Sequence, residues 1–323
     1  MLGGKRLLVL LVVVALVSSG CAELLDPVYP AFSGELAFQH ITELSSERYQ
    51  GRLPGHAGNT LAATYIANAF AELGLTPGGD RKTYYQNFNP EDLSTAQPGQ
   101  HSVANVIALL PSPGADETVI ISAHFDHLGV EQDDQSTYYG AVDNASGVGV
   151  MLELAKTIVD HGAPLPFNVE FVAFNCEEAG LVGSSYYLRT RQESAKSTLA
   201  VLNLDVVGIS ENATLTILDA ASQSTLATSL QISSQRLHLK TAWQGYNVRS
   251  DHALFAVAGI PAITLLHYSE AYFNTSYHSP LDTIELININ KLREPAVLIL
   301  KFLYDLATNY PSSPRSFIQR VAA

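Results

Sequence analysis

From Val103 onward the chain alternates short runs of apolar, β-branched residues with amphipathic stretches, the pattern of a sheet flanked by helices. Four runs stand out, at residues 118–123, 168–175, 199–204 and 261–266. Each ends at, or leads into, a side chain able to bind a cation: His124, the pair Glu177-Glu178, Asp205, and the loop that holds His278. In open α/β sheets the carboxyl edge of the strands is where sites are built. Between the first two runs, Val148, Met151, Leu152, Ala155, Ile158 and Val159 form a helical stripe that follows Asp143 and closes at Gly162. An earlier stripe of Leu61, Tyr65, Ile66, Ala69, Phe70 and Leu73 predicts a helix over residues 58–74, stopped by Gly74. Residues 76–100, rich in Pro, Gly, Asn and Gln, predict a long surface loop. The last helix is expected over 292–307 with Pro295 in its first turn, where a missing N–H costs little. The fold class that follows is α/β: a single globular domain, its mixed, mostly parallel β-sheet flanked by helices.

Composition narrows the function. At 323 residues, 47% hydrophobic and 15% charged, the chain is too apolar for disorder. Eighteen Lys and Arg against 31 Asp and Glu give a net charge of −13, with no basic cluster beyond residue 6, so nucleic acid is not an expected partner. The longest apolar run, 7–17, is too short to span a bilayer. With Lys5-Arg6 before it and Ser18-Ser19-Gly20 after it, the run has the form of a secretory signal. Residues 16–21 also resemble a bacterial lipobox, in which Cys21 would carry lipid and anchor an exported protein to the cell envelope, although Ser18 stands where Leu is usual. The expected organisation is a lipoprotein-type signal peptide at 1–20, a tether at 21–30, the α/β domain at 31–310 and a tail at 311–323. Two cysteines cannot build a thiolate zinc cage, and Cys176, at a strand end, is expected to be a small core residue.

Singly, Asp143 could cap a helix, Asp205 form a turn, and Glu177-Glu178 start a helix. Together, five or six Asp, Glu and His residues at one sheet edge require counter-charge, which a pair of divalent cations supplies. Mixed oxygen and nitrogen donors suit zinc, with Co²⁺ or Mn²⁺ able to use the same ligands.

The ordered segments Ser122-Ala123-His124-Phe125-Asp126-His127-Leu128-Gly129, Asp143-Asn144-Ala145-Ser146-Gly147, Glu177-Glu178-Ala179-Gly180-Leu181, Asn203-Leu204-Asp205, Ser250-Asp251-His252 and Tyr277-His278 resemble the two-zinc aminopeptidases of metallopeptidase family 28. Gly51-Arg52 and Gly55 resemble that family's N-terminal segment, and the likeness, closest to bacterial leucyl aminopeptidases, runs over roughly 40–305. It implies His124 and Asp205 on one zinc, Glu178 and His278 on the other, and Asp143 bridging both. It further implies Glu177 as general base to water activated by the metal pair, and Tyr277 as a donor to the developing oxyanion. Asp126 is expected to orient His124, Asp282 to orient His278, and Arg249 is a candidate contact for the substrate backbone. The implied substrate is a peptide with a free N-terminus. Alternatives on the same scaffold are a carboxypeptidase, a glutaminyl-cyclase-like acyltransferase and a non-catalytic ectodomain. A serine hydrolase fits poorly, because the segment around Ser146 lacks the first Gly of a nucleophile elbow.

Overall fold

The computed structural model describes residues 32–89, 103–131, 133–191, 197–210, 212–219, 224–245 and 250–309. The signal, tether and tail segments, Cys21 and Arg249 lie outside these residues. Helices α1 (Glu35–Leu44) and α2 (Ala57–Glu72) come first. The buried face of α2 is lined by Ala62, Ala63, Ile66, Ala67 and Phe70, while Leu61 is 39% exposed. Small residues bring this helix close to the sheet, which apolarity alone does not reveal. Strands β1 (Thr76–Pro77), β2 (Tyr85–Phe88), β3 (Val103–Leu110) and β4 (Thr118–His124) follow, then a small hairpin of β5 (Gly129–Val130) and β6 (Thr137–Tyr138). After α3 (Ser146–His161) come β7 (Asn168–Phe174), α4 (Val182–Thr190), β8 (Thr198–Leu204), β9 (Thr214–Asp219), α5 (Thr225–Arg236) and β10 (Thr241–Gly245). The described chain ends with α6 (His252–Val257), β11 (Ala262–Tyr268), α7 (Glu270–Thr275) and α8 (Ile289–Asn309).

The main sheet runs β1-β3-β7-β4-β8-β11-β9-β10, with β2 also paired to β3. Strands β7, β4, β8 and β11 are mutually parallel, so their carboxyl ends share one edge. The outer pairings β3 with β7 and β11 with β9 are antiparallel. Alternate residues serve two cores: Val119, Ile121, Val169 and Phe171 face the layer of α1, α2, α3 and α8, while Ile120, Val172 and Phe174 face Tyr187 of α4 and Phe255 of α6. Glu153 of α3 fastens α1: one of its carboxylate oxygens accepts the N–H groups of Ser33 and Gly34 at 2.9 and 3.1 Å, and the other accepts Ala37 N–H at 2.8 Å.

Two local expectations are corrected. Within 76–100, residues 76–77 and 85–88 form edge strands against β3, and 90–100 lie outside the described residues. Phe88 and Gln86 are buried and Asn87 exposed, a strand alternation hidden by the polar composition around it. Pro295 lies in the second turn of α8, because the helix starts at Ile289. Asn288 initiates it, its carbonyl accepting Lys291 N–H at 2.9 Å and its side chain accepting Asn290 N–H at 3.0 Å. Proline there leaves one helical carbonyl without its usual donor.

Candidate metal centre

Four chain segments bring their polar ends to the carboxyl edge of β7, β4, β8 and β11, and the loop before α3 supplies a fifth. His124 ends β4, and its Nε2 lies 3.3 Å from Asp143 Oδ1 and 3.3 Å from Asp205 Oδ1. His278 Nε2 lies 3.2 Å from Asp143 Oδ2 and 3.0 Å from Glu178 Oε2. Asp143 therefore turns one oxygen to each group. Ligands of a tetrahedral zinc with bonds of about 2.0–2.1 Å sit roughly 3.3 Å from each other, so both groups have the spacing of a coordination sphere. The donors also converge as ligands do: buried Asp143 Oδ2 has no hydrogen-bond partner among the described residues despite its nearness to an imidazole. His124, Asp143 and Asp205 form one set able to hold a metal, and His127, Asp143 and Glu178 a second. The residues present fit zinc.

Charge supports the same conclusion. Burial opposes a charge on His124, yet Asp205, Asp126 and Asp143 hold its protonated form well above the ordinary imidazole range. His278 is pushed up to about 10, against burial, by Asp143 and Glu178. Burial also opposes ionisation of Asp143, but the flanking imidazoles outweigh it and keep the carboxyl well below its usual range. So much negative charge in so small a space demands positive charge, and a divalent cation meets that demand better than protons on two histidines.

The loops that carry these donors are latched to one another. Asn144 Oδ1 accepts Gly147 N–H at 2.9 Å in the first turn of α3, a bond that Asp143 does not make. Asn144 also donates to Leu204 O at 2.9 Å, tying the Asp143 loop to the strand end before Asp205. Ser146 Oγ donates to Val142 O at 2.6 Å and accepts Val207 N–H at 3.0 Å; fully buried and doubly bonded, it is no nucleophile. Left-handed backbone at Cys176 (φ 62°), Val206 (φ 55°) and His278 (φ 52°) adds local strain next to Glu177, next to Asp205 and at His278 itself.

Asp126 lies against His124, its backbone oxygen 3.3 Å and its Oδ1 3.7 Å from Nδ1. Its carboxylate chiefly accepts the N–H groups of Glu177 at 3.0 Å and Glu178 at 3.2 Å, orienting that pair. The expectation for Asp282 is corrected: its oxygens accept Val142 N–H at 2.8 Å, Asp143 N–H at 2.9 Å and Tyr272 O–H at 3.0 Å, so it orients Asp143 and not His278. Burial pushes its carboxyl up to about 6.

Glu177 stands next to Glu178. Burial, opposed by His124 and reinforced by Asp205, Asp251 and Glu178, pushes its carboxyl well above the usual range. Asp251, fully buried, is likewise pushed up to about 7 by burial. Tyr277 stacks on His278, the ring centroids 3.9 Å apart and the planes at 18°, with the ring 37% exposed. Burial and the charges of Asp143, Asp205, Glu178 and Glu177 push its hydroxyl up, so it is a hydrogen-bond donor at any working pH. Cys176 is a buried, free thiol among Phe88, Val103, Ala179, Val182 and Tyr186, and burial pushes it up too.

Arg52 is the largest contribution that the sequence left without a role. Residues 50–52 are all left-handed, which turns the guanidinium fully inward. It donates at 2.7 Å to each of four carbonyls, those of Leu44, Phe125, Tyr139 and Gly140. Phe125 lies between His124 and Asp126, and Gly140 precedes Asp143 by three residues, so one cation joins both loops. Asn59 of α2 does the same for the third: it donates to Asn175 Oδ1 at 3.0 Å, just before Cys176-Glu177.

The fold and donor set define an α/β protein with a His, Asp and Glu metal centre at the carboxyl edge of its sheet. The model of Peptidase family M28 matches residues 105–303, and the chain belongs to that family. A probable leucine aminopeptidase of Arthroderma otae is 31% identical over 210 residues, covering 63% of this chain and 57% of that protein. The chain spans about half the length of the curated relatives it matches. In fold it is similar to BSAP, a zinc aminopeptidase from Bacillus subtilis, with a TM-score of 0.69 at 18% identity, covering 88% of this chain and 97% of that one. It is also similar to the glutaminyl cyclase of Porphyromonas gingivalis, with a TM-score of 0.68 at 21% identity, covering 85% and 99%.

Proposed function

We propose that this chain is a zinc-dependent aminopeptidase that hydrolyses N-terminal residues from peptides. The observation that carries the reading is Asp143, whose two oxygens face separate His-carboxylate groups 3.2 and 3.3 Å away. His124 and Asp205 would hold one zinc, Glu178 and His278 a second, with Asp143 shared. Bound zinc would supply Lewis acidity, polarising a carbonyl and easing the ionisation of water near neutral pH. Glu177, a raised carboxyl beside this centre, takes the proton of the attacking water and returns it to the leaving amine. The Tyr277 hydroxyl, held by the stack on His278, donates to the developing oxyanion. The acidic surroundings suit a substrate that brings a free ammonium group, and Arg249 is retained as a candidate backbone contact.

The fold likeness to a glutaminyl cyclase favours one second reading, cyclisation of N-terminal glutamine. The His124, Asp143 and Asp205 group argues for hydrolysis, since it completes a second metal position. The test is zinc content together with cleavage of aminoacyl-4-nitroanilides, with and without chelator. Two zincs and chelator-sensitive cleavage support the aminopeptidase; one zinc with glutamine cyclisation supports the alternative. Activity confined to substrates with a free carboxyl end points to a carboxypeptidase, and no zinc overturns the metal reading. Export as a lipid-anchored envelope protein through Cys21 completes the proposal. Cys21→Ser should release the protein from membranes, and continued membrane association would overturn the lipid anchor.

A further inference from the structure

His127 is fully buried beside the centre, and although it groups with Asp143 and Glu178 as a set able to hold a metal, the ligands proposed there are Glu178 and His278. Its Nδ1 lies 3.0 Å from Glu178 Oε1 and 4.0 Å from Asp143 Oδ2, while its Nε2 is buried with no partner among the described residues. The ring is fixed on several sides. Its backbone N–H donates to Arg52 O at 3.4 Å, and its ring meets that of His278 edge to face with centroids 5.9 Å apart. A Cβ built on Gly140 would fall 2.6 Å from its Cγ and Cδ2, so only glycine leaves room there.

The two nitrogens decide the tautomer. A proton on Nε2 would bury a donor with no acceptor and turn the Nδ1 lone pair on a carboxylate oxygen. The neutral form protonated on Nδ1 leaves only an acceptor unmet and aims its donor at Glu178 Oε1. Glu178 Oε2 is then the oxygen that faces His278 and Asp143.

We infer that His127 is a positioning residue for the second metal, its Nδ1–H holding Oε1 of Glu178 so that this carboxylate ligates through Oε2 alone. One-oxygen ligation keeps a coordination position on that metal free for substrate. The inference rests on the reading of Glu178 as a metal ligand.

Zinc titration of the metal-free full-length protein tests it, with His127→Asn and His127→Phe beside the wild type. The amide nitrogen of Asn stands where Nδ1 does, and Phe keeps the ring without the donor. The expected result is that Phe weakens one of two zincs by about 10- to 100-fold and leaves the other unchanged, while Asn keeps both. Equal loss in both variants would make His127 itself a ligand and overturn the inference, as would unchanged affinities in the Phe variant. A wild type that binds no zinc sinks the metal reading instead. Should either variant fail to fold, the ¹⁵N shifts of His127 in the wild type decide. A protonated Nδ1 and bare Nε2 are expected, and the opposite tautomer or an imidazolium overturns the proposal.

Discussion

The carboxylate of Asp282 accepts the backbone N–H of Asp143 at 2.9 Å, with that of Val142 alongside at 2.8 Å. A residue 139 positions away in sequence thus sets where the shared donor stands. In Asp282→Asn, one of the two N–H groups would meet an amide donor in place of an acceptor. The variant is expected to lose about 1–3 kcal/mol of stability and about 10- to 100-fold in zinc affinity. Thermal melts and zinc titration read the two effects, and an unchanged zinc affinity would dissociate Asp282 from the centre.

Arg52→Lys keeps the charge but cannot reach four carbonyls with one fork-shaped group. At least one buried carbonyl is then left unmet, and the expected cost is about 3 kcal/mol or more by denaturant unfolding. The metal-free protein should show the loss as well, because the contacts are to backbone. A loss seen only with zinc bound would refute a scaffold role.

Glu177→Gln should bind zinc as the wild type does and lose about 10²- to 10⁴-fold in kcat, since the donors stay while the proton carrier goes. Near-normal turnover would remove Glu177 from the base role. Tyr277→Phe keeps the stack on His278 and should lower kcat with zinc content intact.

His252 Nδ1 is hydrogen-bonded with the Thr264 hydroxyl, 2.7 Å away, and burial lowers its imidazole to about 4. The hydroxyl of Thr264 also accepts from the Asn203 amide at 3.0 Å. Since the folded value lies below the ordinary 6.5, the unfolded chain binds the proton more readily. Stability from this group is full above about pH 6.5 and falls by up to roughly 1.4 kcal/mol per unit as pH drops toward 4. His252→Asn places an oxygen that cannot titrate in the same position. Unfolding free energies of variant and wild type should diverge across that window, and parallel curves would refute the assignment.

Zinc removal should lower the melting temperature, because Asp143, Asp205 and Glu178 lose their counter-charge, and added zinc should restore it. A melting temperature indifferent to chelator would argue against a resident metal.

Much of this protein was written in its sequence. The strands at 118–124, 168–174 and 198–204 and the helix at 146–161 lie within a residue or three of their apolar runs, because burial on both sheet faces requires such runs. The residues that converge on the centre are legible for a related reason: parallel strands deliver whatever follows them to one edge. What no pattern revealed is who holds the donors. Arg52 stood only in a segment that resembles the family's N-terminal part, Asn144 beside Asp143 in a matching motif, and Asp282 as a partner of the histidine four residues before it. Their partners are backbone groups on other segments, up to 140 residues distant, and a backbone N–H or carbonyl has no identity in a sequence. The composition of the centre is a local property that each strand end carries by itself. Its geometry exists only after the strands have docked, when distant carbonyls and amides become the nearest partners of buried polar side chains that water can no longer reach.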